Sequence, residues 1–192
     1  MDADSKKQKQ QKKKGKQEKS TGRWAVQVFF IAVVLSAALS LASDQALDGA
    51  GLAVAFAVLL AFILLGIVFD IIGVAVTAAD EKPFHSMAAR KTPGAREALN
   101  LIRKADKVSS FCNDVVGDIC GIISGSTGAV IVVQIQTAFG MPCMVISLAV
   151  TALTSGLTIG GKALGKSFAI AKSTAVLQLV GRLLHLFSRK KR

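Results

Sequence analysis

The sequence of 192 residues has no Tyr, one Trp, three Cys and two His, and it holds only 12 acidic residues against 24 basic ones. Without aromatic side chains among the basic residues to stack on bases, the net charge of +12 does not indicate nucleic-acid binding. The cysteines follow neither a CxxC nor a Cys/His pattern, which excludes a zinc site and a disulfide framework. No catalytic triad, nucleophile elbow or phosphate-binding loop occurs, so we expect no enzyme.

Basic residues are themselves absent from long stretches of the chain. All 24 Lys and Arg residues lie in three blocks, 1–23, 80–107 and 160–192, and two pairs of apolar runs separate these blocks. The connectors within the pairs, 44–50 and 139–142, contain none. Since basic residues stay on the cytoplasmic side of membrane segments, the pattern predicts a multi-pass cell-membrane protein with both termini in the cytoplasm. The anionic inner leaflet of the bilayer would attract the basic blocks.

The hydropathy of the chain agrees with a membrane protein. The mean hydropathy is +0.50 and 52% of the residues are hydrophobic, which is too apolar for an ordinary soluble domain of this length. The predicted fold class is all-α, with four transmembrane helices and a cytoplasmic amphipathic belt. We expect a disordered basic arm over 1–22, a transmembrane domain over 23–187 and a basic tail over 188–192. Within the transmembrane domain, the predicted spans are at about 24–43, 52–79, 108–139 and 141–161. The predicted interfacial helices are at about 84–104 and 162–187.

Three carboxylates interrupt the predicted spans. Asp70 lies in the second span, and Asp114 and Asp118 lie four residues apart in the third. Counted from the cytoplasmic ends at 1.5 Å per residue, Asp70 and Asp118 would both be about 15 Å deep. A charge at mid-bilayer costs about 2.5–3.5 kcal/mol or more, so each carboxylate needs a partner, a water path or a proton.

The neighbouring residues leave several interpretations of these carboxylates open. Asn113 and Gly117 could add an amide and an accessible carbonyl, and oxygen-only groups suit a hard cation such as Mg²⁺. Alternatively, Lys162 or Lys166 forms an ion pair with Asp70 or Asp118, or a carboxyl is protonated. Asp114 could also lie close enough to the inner surface to reach solvent.

Several motifs resemble the transmembrane domain of the cyclin M / CorB–CorC family of magnesium transporters, over about residues 52–187. Phe69 to Thr77 fits the family pattern F-S-x-x-E-T-A-x-T loosely, and Met87 to Ile102 resembles its belt segment L-A-x-x-G-x-x-G-A-x-x-A-L-x-L-L. Gly117-Asp118 is similar to the Gly-Asn pair of the next helix, and the segment from Gly161 to Lys166 is similar to the G-E-x-x-P-K element.

The resemblance implies a homodimer that binds or transports Mg²⁺, with a metal site at Asp70, Asn113, Asp114, Gly117 and Asp118. Asp70 replaces the Ser of the family site, and Lys162 replaces a Glu and would act as a counter-ion. The spacing from Asp106 to Gly117 is about two residues longer than the family pattern, and no cytoplasmic CBS domains follow in this sequence. The alternative function is a non-transporting membrane adaptor or scaffold whose basic arm and belt bind anionic lipid or a protein partner.

Overall fold

The computed structural model describes the backbone of residues 2–140 and 142–189 and the side chains of residues 24–140 and 142–186. Within these ranges the protein is helical and has no strand. Four helices are long and apolar enough to cross a membrane, over Trp24–Leu47, Leu52–Ala78, Ala105–Phe139 and Cys143–Ala171. The prediction of an all-α chain with four candidate spans is therefore confirmed.

The element bounds follow local signals in the sequence. Gly140, at φ 65°, ends one helix in the left-handed conformation that glycine tolerates, and Pro142 precedes the next helix. The elements are α1 (Asp2–Leu47), α2 (Leu52–Ala78), α3 (Glu81–Ala89), α4 (Ala95–Ile102), α5 (Ala105–Ser110), a π-helical stretch (Phe111–Gly117, the π segment), α6 (Asp118–Phe139), α7 (Cys143–Ala171) and α8 (Ser173–Arg189). Together, α5, the π segment and α6 form the third candidate span.

The chain divides into two units, residues 1–38 and 39–192. In the first unit, α1 is helical from Asp2 onward, whereas the composition predicted a disordered arm over 1–22. Lys, Gln and Glu are good helix formers, so a polar composition does not by itself prevent a helical backbone. The side chains of this arm, and residues 190–192 of the predicted basic tail, lie outside the described residues.

In the second unit, α2 packs antiparallel to the third candidate span in one constant register. A methyl group on Gly66 would lie 3.3 Å from Cys120 Cβ, and Gly73 contacts Asn113. Near the other end of the pair, Gln134 Nε2 donates a hydrogen bond of 3.0 Å to the carbonyl oxygen of Ala50. Small residues allow these close approaches. The third span is the most buried of the four.

Helix α7 runs parallel to α2 and is longer than the sequence indicated. Gly161 and Gly165 contact Ile67 and Ile71 of α2. We expected a span that ends near residue 161 and an interfacial helix over 162–187. Instead, α7 continues to Ala171 and α8 begins at Ser173. The glycines around position 161 act as packing positions for α2 rather than as helix breaks, because their missing side chains make room for isoleucine.

Short helices pack at the end of the unit where α2 stops. Asp80 caps α3 by accepting a hydrogen bond of 3.1 Å from the backbone N–H of Lys82. As the Thr92-Pro93-Gly94 sequence predicted, the chain breaks between α3 and α4. An apolar cluster joins this layer to α2 and α8, and its buried members are Val76, Phe84, Ala98, Leu99 and Leu177. We call α3, α4 and α8 the belt.

Candidate functional site

Asp70 is the only buried carboxylate in the part of the chain whose side chains the structure describes, with 5% of its surface exposed. It lies on the glycine face of α2, four residues after Gly66 and three before Gly73, so the same face that packs on the third span carries the carboxylate. Its Oδ2 atom is buried and has no hydrogen-bond partner. A buried carboxylate oxygen without a donor is unfavourable, and it requires a proton, a cation or a water.

Asn113 supplies a second oxygen of the same kind from the facing helix. Its Oδ1 atom packs against Gly73, is buried and lacks a hydrogen-bond donor, while its Nδ2 atom donates to Ser109 Oγ at 3.4 Å. Asn113 therefore lies one helical turn along the interface from Asp70. Two acceptor oxygens without donors are thus held on opposite sides of one helix–helix contact.

Lys162 of α7 places an ammonium group beside Gly117, at about the same level along the helices as Asp70. Its Nζ atom lies 3.5 Å from the point where a methyl group on Gly117 would be placed, and its side chain is half-buried. In the antiparallel register set by the contacts of Gly66 and Gly73, Asp70 is level with Val116 and Gly117. Gly117 is itself buried, so its missing side chain leaves room for the ammonium.

The alternative interpretation, an ion pair of Lys162 or Lys166 with Asp70 or Asp118, is not observed within 4.0 Å among the described side chains. Within the described side chains, the ion pairs of 4.0 Å or less are those of His85 with Glu81 and of His185 with Glu97. The ammonium of Lys162 therefore neighbours the candidate site without neutralising a carboxylate directly.

Asp114 and Asp118 are exposed. They do not lie on the buried helix face that includes Asn113 and Gly117 and packs against α2. The sequence predicted one site from all of these residues, and the structure divides them into two groups. Depth along a helix follows from residue counting, but the direction of a side chain around the axis depends on which face packs. Among the described residues, no group of three or more His, Cys, Asp and Glu side chains is close enough to hold a metal ion.

The π segment carries Asn113, Asp114 and Gly117, and no sequence pattern predicted it. Residues Phe111–Gly117 adopt the wider π-helical turn between two α-helical stretches. Such turns are rare and occur frequently at functional sites. A local widening of this kind accommodates additional residues in a helix.

A groove between α6 and α7, lined by small and hydroxyl-bearing side chains over a mainly apolar surface, was also not anticipated. It has a volume of about 350 Å³. Asp118 shares the groove-facing side of its helix with Gly121 and Gly125, and Lys162 follows Thr158 by one turn. The lining residues are small or carry hydroxyl groups for the most part: Gly121, Ser124, Gly125, Gly128, Ala129, Val132, Ser147, Val150, Thr151, Thr154, Ser155, Thr158 and Ile159.

Comparisons with known proteins identify no family for this chain. No family model matches the chain, and neither a curated protein nor a solved structure matches it.

Proposed function

We propose that this chain is a multi-pass membrane protein that binds a hard divalent cation of the Mg²⁺ type between α2, the π segment and α7, and moves it across the bilayer. The observation that carries the proposal is the pair of buried acceptor oxygens, Asp70 Oδ2 and Asn113 Oδ1, neither of which has a donor in the described part of the structure. Asp70 is eight residues from the end of α2, hence about 12 Å inside that helix.

The chemistry of these two groups fits such a cation. Mg²⁺ binds oxygen ligands and usually keeps several waters, so one carboxylate and one amide oxygen suit a site that is not a closed protein cage. Asp70 would provide the negative charge and Asn113 a neutral ligand. Lys162 would compete with the ion, because its ammonium lies beside Gly117 at the same level. This arrangement favours weak and reversible binding, which movement of an ion requires.

The groove between α6 and α7 supports transport over binding alone. Hydroxyl groups of Ser and Thr line it, and the helix faces that form it continue to Asp118 on one side and to Lys162 on the other. The hydroxyl oxygens spaced along this groove, whose surface is otherwise mainly apolar, would offer an ion oxygen contacts along two long helices.

The topology belongs to the same proposal. The three basic blocks support a topology with both termini and the belt in the cytoplasm, against the anionic inner leaflet. Asp114 and Asp118 are exposed on a candidate span, where contact with lipid would be unfavourable. A second copy of the chain would cover them, so a homodimer is the assembly we propose.

Flux measurements on the full chain in proteoliposomes test the proposal. We expect Mg²⁺ uptake by the parent protein, a loss of at least tenfold in Asp70→Asn, and a smaller loss in Asn113→Ala. Asp48→Asn is the matched control, since Asp48 is an exposed carboxylate in the turn between α1 and α2. Unchanged binding and uptake in both site variants would show that the cation assignment is wrong.

A non-transporting membrane adaptor is the second candidate. The separation of Asp114 and Asp118 from Asp70, and the position of Lys162 beside the site, favour it. Deletion of residues 1–22 distinguishes the two functions. An adaptor would lose binding to anionic vesicles or to its protein partner, whereas a transporter would keep its flux.

A further inference from the structure

Helix α8 approaches α4 so closely that two glycines meet at the crossing. Gly94 precedes α4 with φ 85°, and a methyl group there would collide with the backbone of Gly181 and Arg182. A methyl group on Gly181 would collide with the carbonyl oxygen of Gly94 and would lie 3.2 Å from Ala98 Cβ. The crossing therefore permits no side chain at either glycine.

One buried leucine and one polar contact hold the crossing on its two sides. Leu177 of α8 is completely buried in the apolar cluster of the belt, beside Ala98 and Leu99. Two turns farther along α8, His185 Nδ1 and Glu97 Oε1 are 2.8 Å apart. The hydrogen bond from His185 lowers the pKa of Glu97 below its ordinary value of 4.5. Glu97 is thus a carboxylate near neutral pH.

We propose that α8 is a pH-responsive clasp on α4, closed by the contact of His185 with Glu97 and tightened when the imidazole gains a proton. Histidine changes its charge between about pH 5 and 8. A neutral imidazole donates an ordinary hydrogen bond from Nδ1, whereas a protonated one forms a charge-assisted bond to the carboxylate. Mild acidification of the cytoplasmic side therefore shifts α8 toward the docked position.

Among the described side chains, this pair is the ionisable contact that joins α8 to α4. Arg96, on the same helix as Glu97, also acts on this carboxylate and favours its ionised form. In α3, which packs on α4, Glu81 and His85 pair with each other at 3.3 Å. The other charged residues with described side chains on the helices packed against α4 and α8 are Asp70 of α2, Lys82 of α3, Asp106 and Lys107 of α5, Lys162 and Lys166 of α7, and Arg182 of α8 itself.

The position of the clasp gives it a mechanical role. Only Lys172 separates α8 from α7, the helix that carries Lys162, and α5 connects the belt to the π segment that carries Asn113. Docking of α8 on α4 thus ties together the belt-side ends of two helices that frame the candidate site. The clasp itself does not depend on the identity of any ion.

Distances between two spin labels on the full chain in lipid nanodiscs measure the docked population. The labels are placed on Asn100 of α4 and Leu179 of α8, both exposed, after replacement of the native cysteines by Ala. An exposed ion pair changes a local equilibrium by about two- to fivefold. We therefore expect the ratio of docked to undocked α8 to rise by this factor between about pH 8 and about pH 6.

Two substitutions separate the clasp from a purely structural contact. His185→Gln keeps an amide donor for Glu97 but cannot titrate, so α8 should stay docked and the pH response should vanish. His85→Gln is the matched control, because it removes an imidazole of the belt that pairs with Glu81 instead, and it should leave the response intact. A pH-independent ratio in the parent chain, or an unchanged response in His185→Gln, would overturn the proposal.

Discussion

Replacing Gly73 with alanine perturbs the contact that presents Asn113 to α2. The new methyl carbon would lie 2.9 Å from Asn113 Cγ and 3.1 Å from Nδ2, and even closer to Oδ1. Such separations are at or below the limit for a Cβ atom, so the amide must move away. The three nearest atoms all belong to the flexible side chain of Asn113.

The expected change in the free energy of unfolding is the sum of opposing contributions. Overpacking of a well-packed contact costs about 1–3 kcal/mol. Alanine is favoured over glycine inside a helix by about 0.8–1.0 kcal/mol, which offsets part of that cost. The hydrogen bond that Asn113 gives up, to Ser109, is long at 3.4 Å and adds little. The net destabilisation is about 1 kcal/mol and at most about 2 kcal/mol, or a decrease in Tm of about 2–4 °C per kcal/mol.

Two further variants check the cause of this loss. In Gly73→Ala combined with Asn113→Ala the obstacle is gone, so the double variant should be more stable than Gly73→Ala alone. Gly121→Ala is the control for helix propensity, because a methyl group on Gly121 meets nothing within 4 Å. It should melt at or above the parent temperature.

Melting in detergent with a thiol-reactive dye suits this protein, since Cys112 and Cys120 are buried and report unfolding. Cys143 is exposed and is replaced by Ala in every variant to remove the background. If Gly73→Ala melts like Gly121→Ala, or if Asn113→Ala fails to restore stability, the contact is not as described. Mg²⁺ uptake should fall in both Gly73→Ala and the double variant, because both displace or remove the Asn113 oxygen.

Three other outcomes are expected. Lys162→Ala removes the ammonium that would compete with the ion, so added Mg²⁺ should raise the Tm of this variant in detergent more than the Tm of the parent; an equal rise in both would argue against a shared site. The contribution of ionised Glu97 to the docking of α8 on α4 should be present above about pH 4.5 and lost as the pH falls through the lowered pKa of Glu97. Spin-label distances between α4 and α8 would detect this loss of docking, and Glu97→Gln should abolish this acid-dependent change. Cys143 should react with an impermeant maleimide added outside intact cells, and reaction only from the cytoplasmic side would reverse the proposed topology.

Local sequence was sufficient for the helices and for the depth of the polar residues. Apolar runs, turn residues and the break at residues 92–94 depend on neighbours in the chain, so the four candidate spans and the belt could be derived from them. The level of Asp70 also follows from counting residues along a helix. The direction of each side chain around its helix does not follow from counting, so Asp70 and Asp118 were predicted at one level although Asp70 is buried and Asp118 is exposed.

Tertiary packing decided the rest. The sequence itself determined that four apolar helices exist, that a carboxylate lies within the second, and that basic residues border them, because these properties depend on composition and local periodicity. Only the assembled structure decided that Asp70 lies one helical turn from the contact of Asn113 with Gly73 and that α7 continues past Gly161. It also decided that His185 meets Glu97. Each of these depends on how one helix surface fits another, and that fit involves residues far apart in the chain.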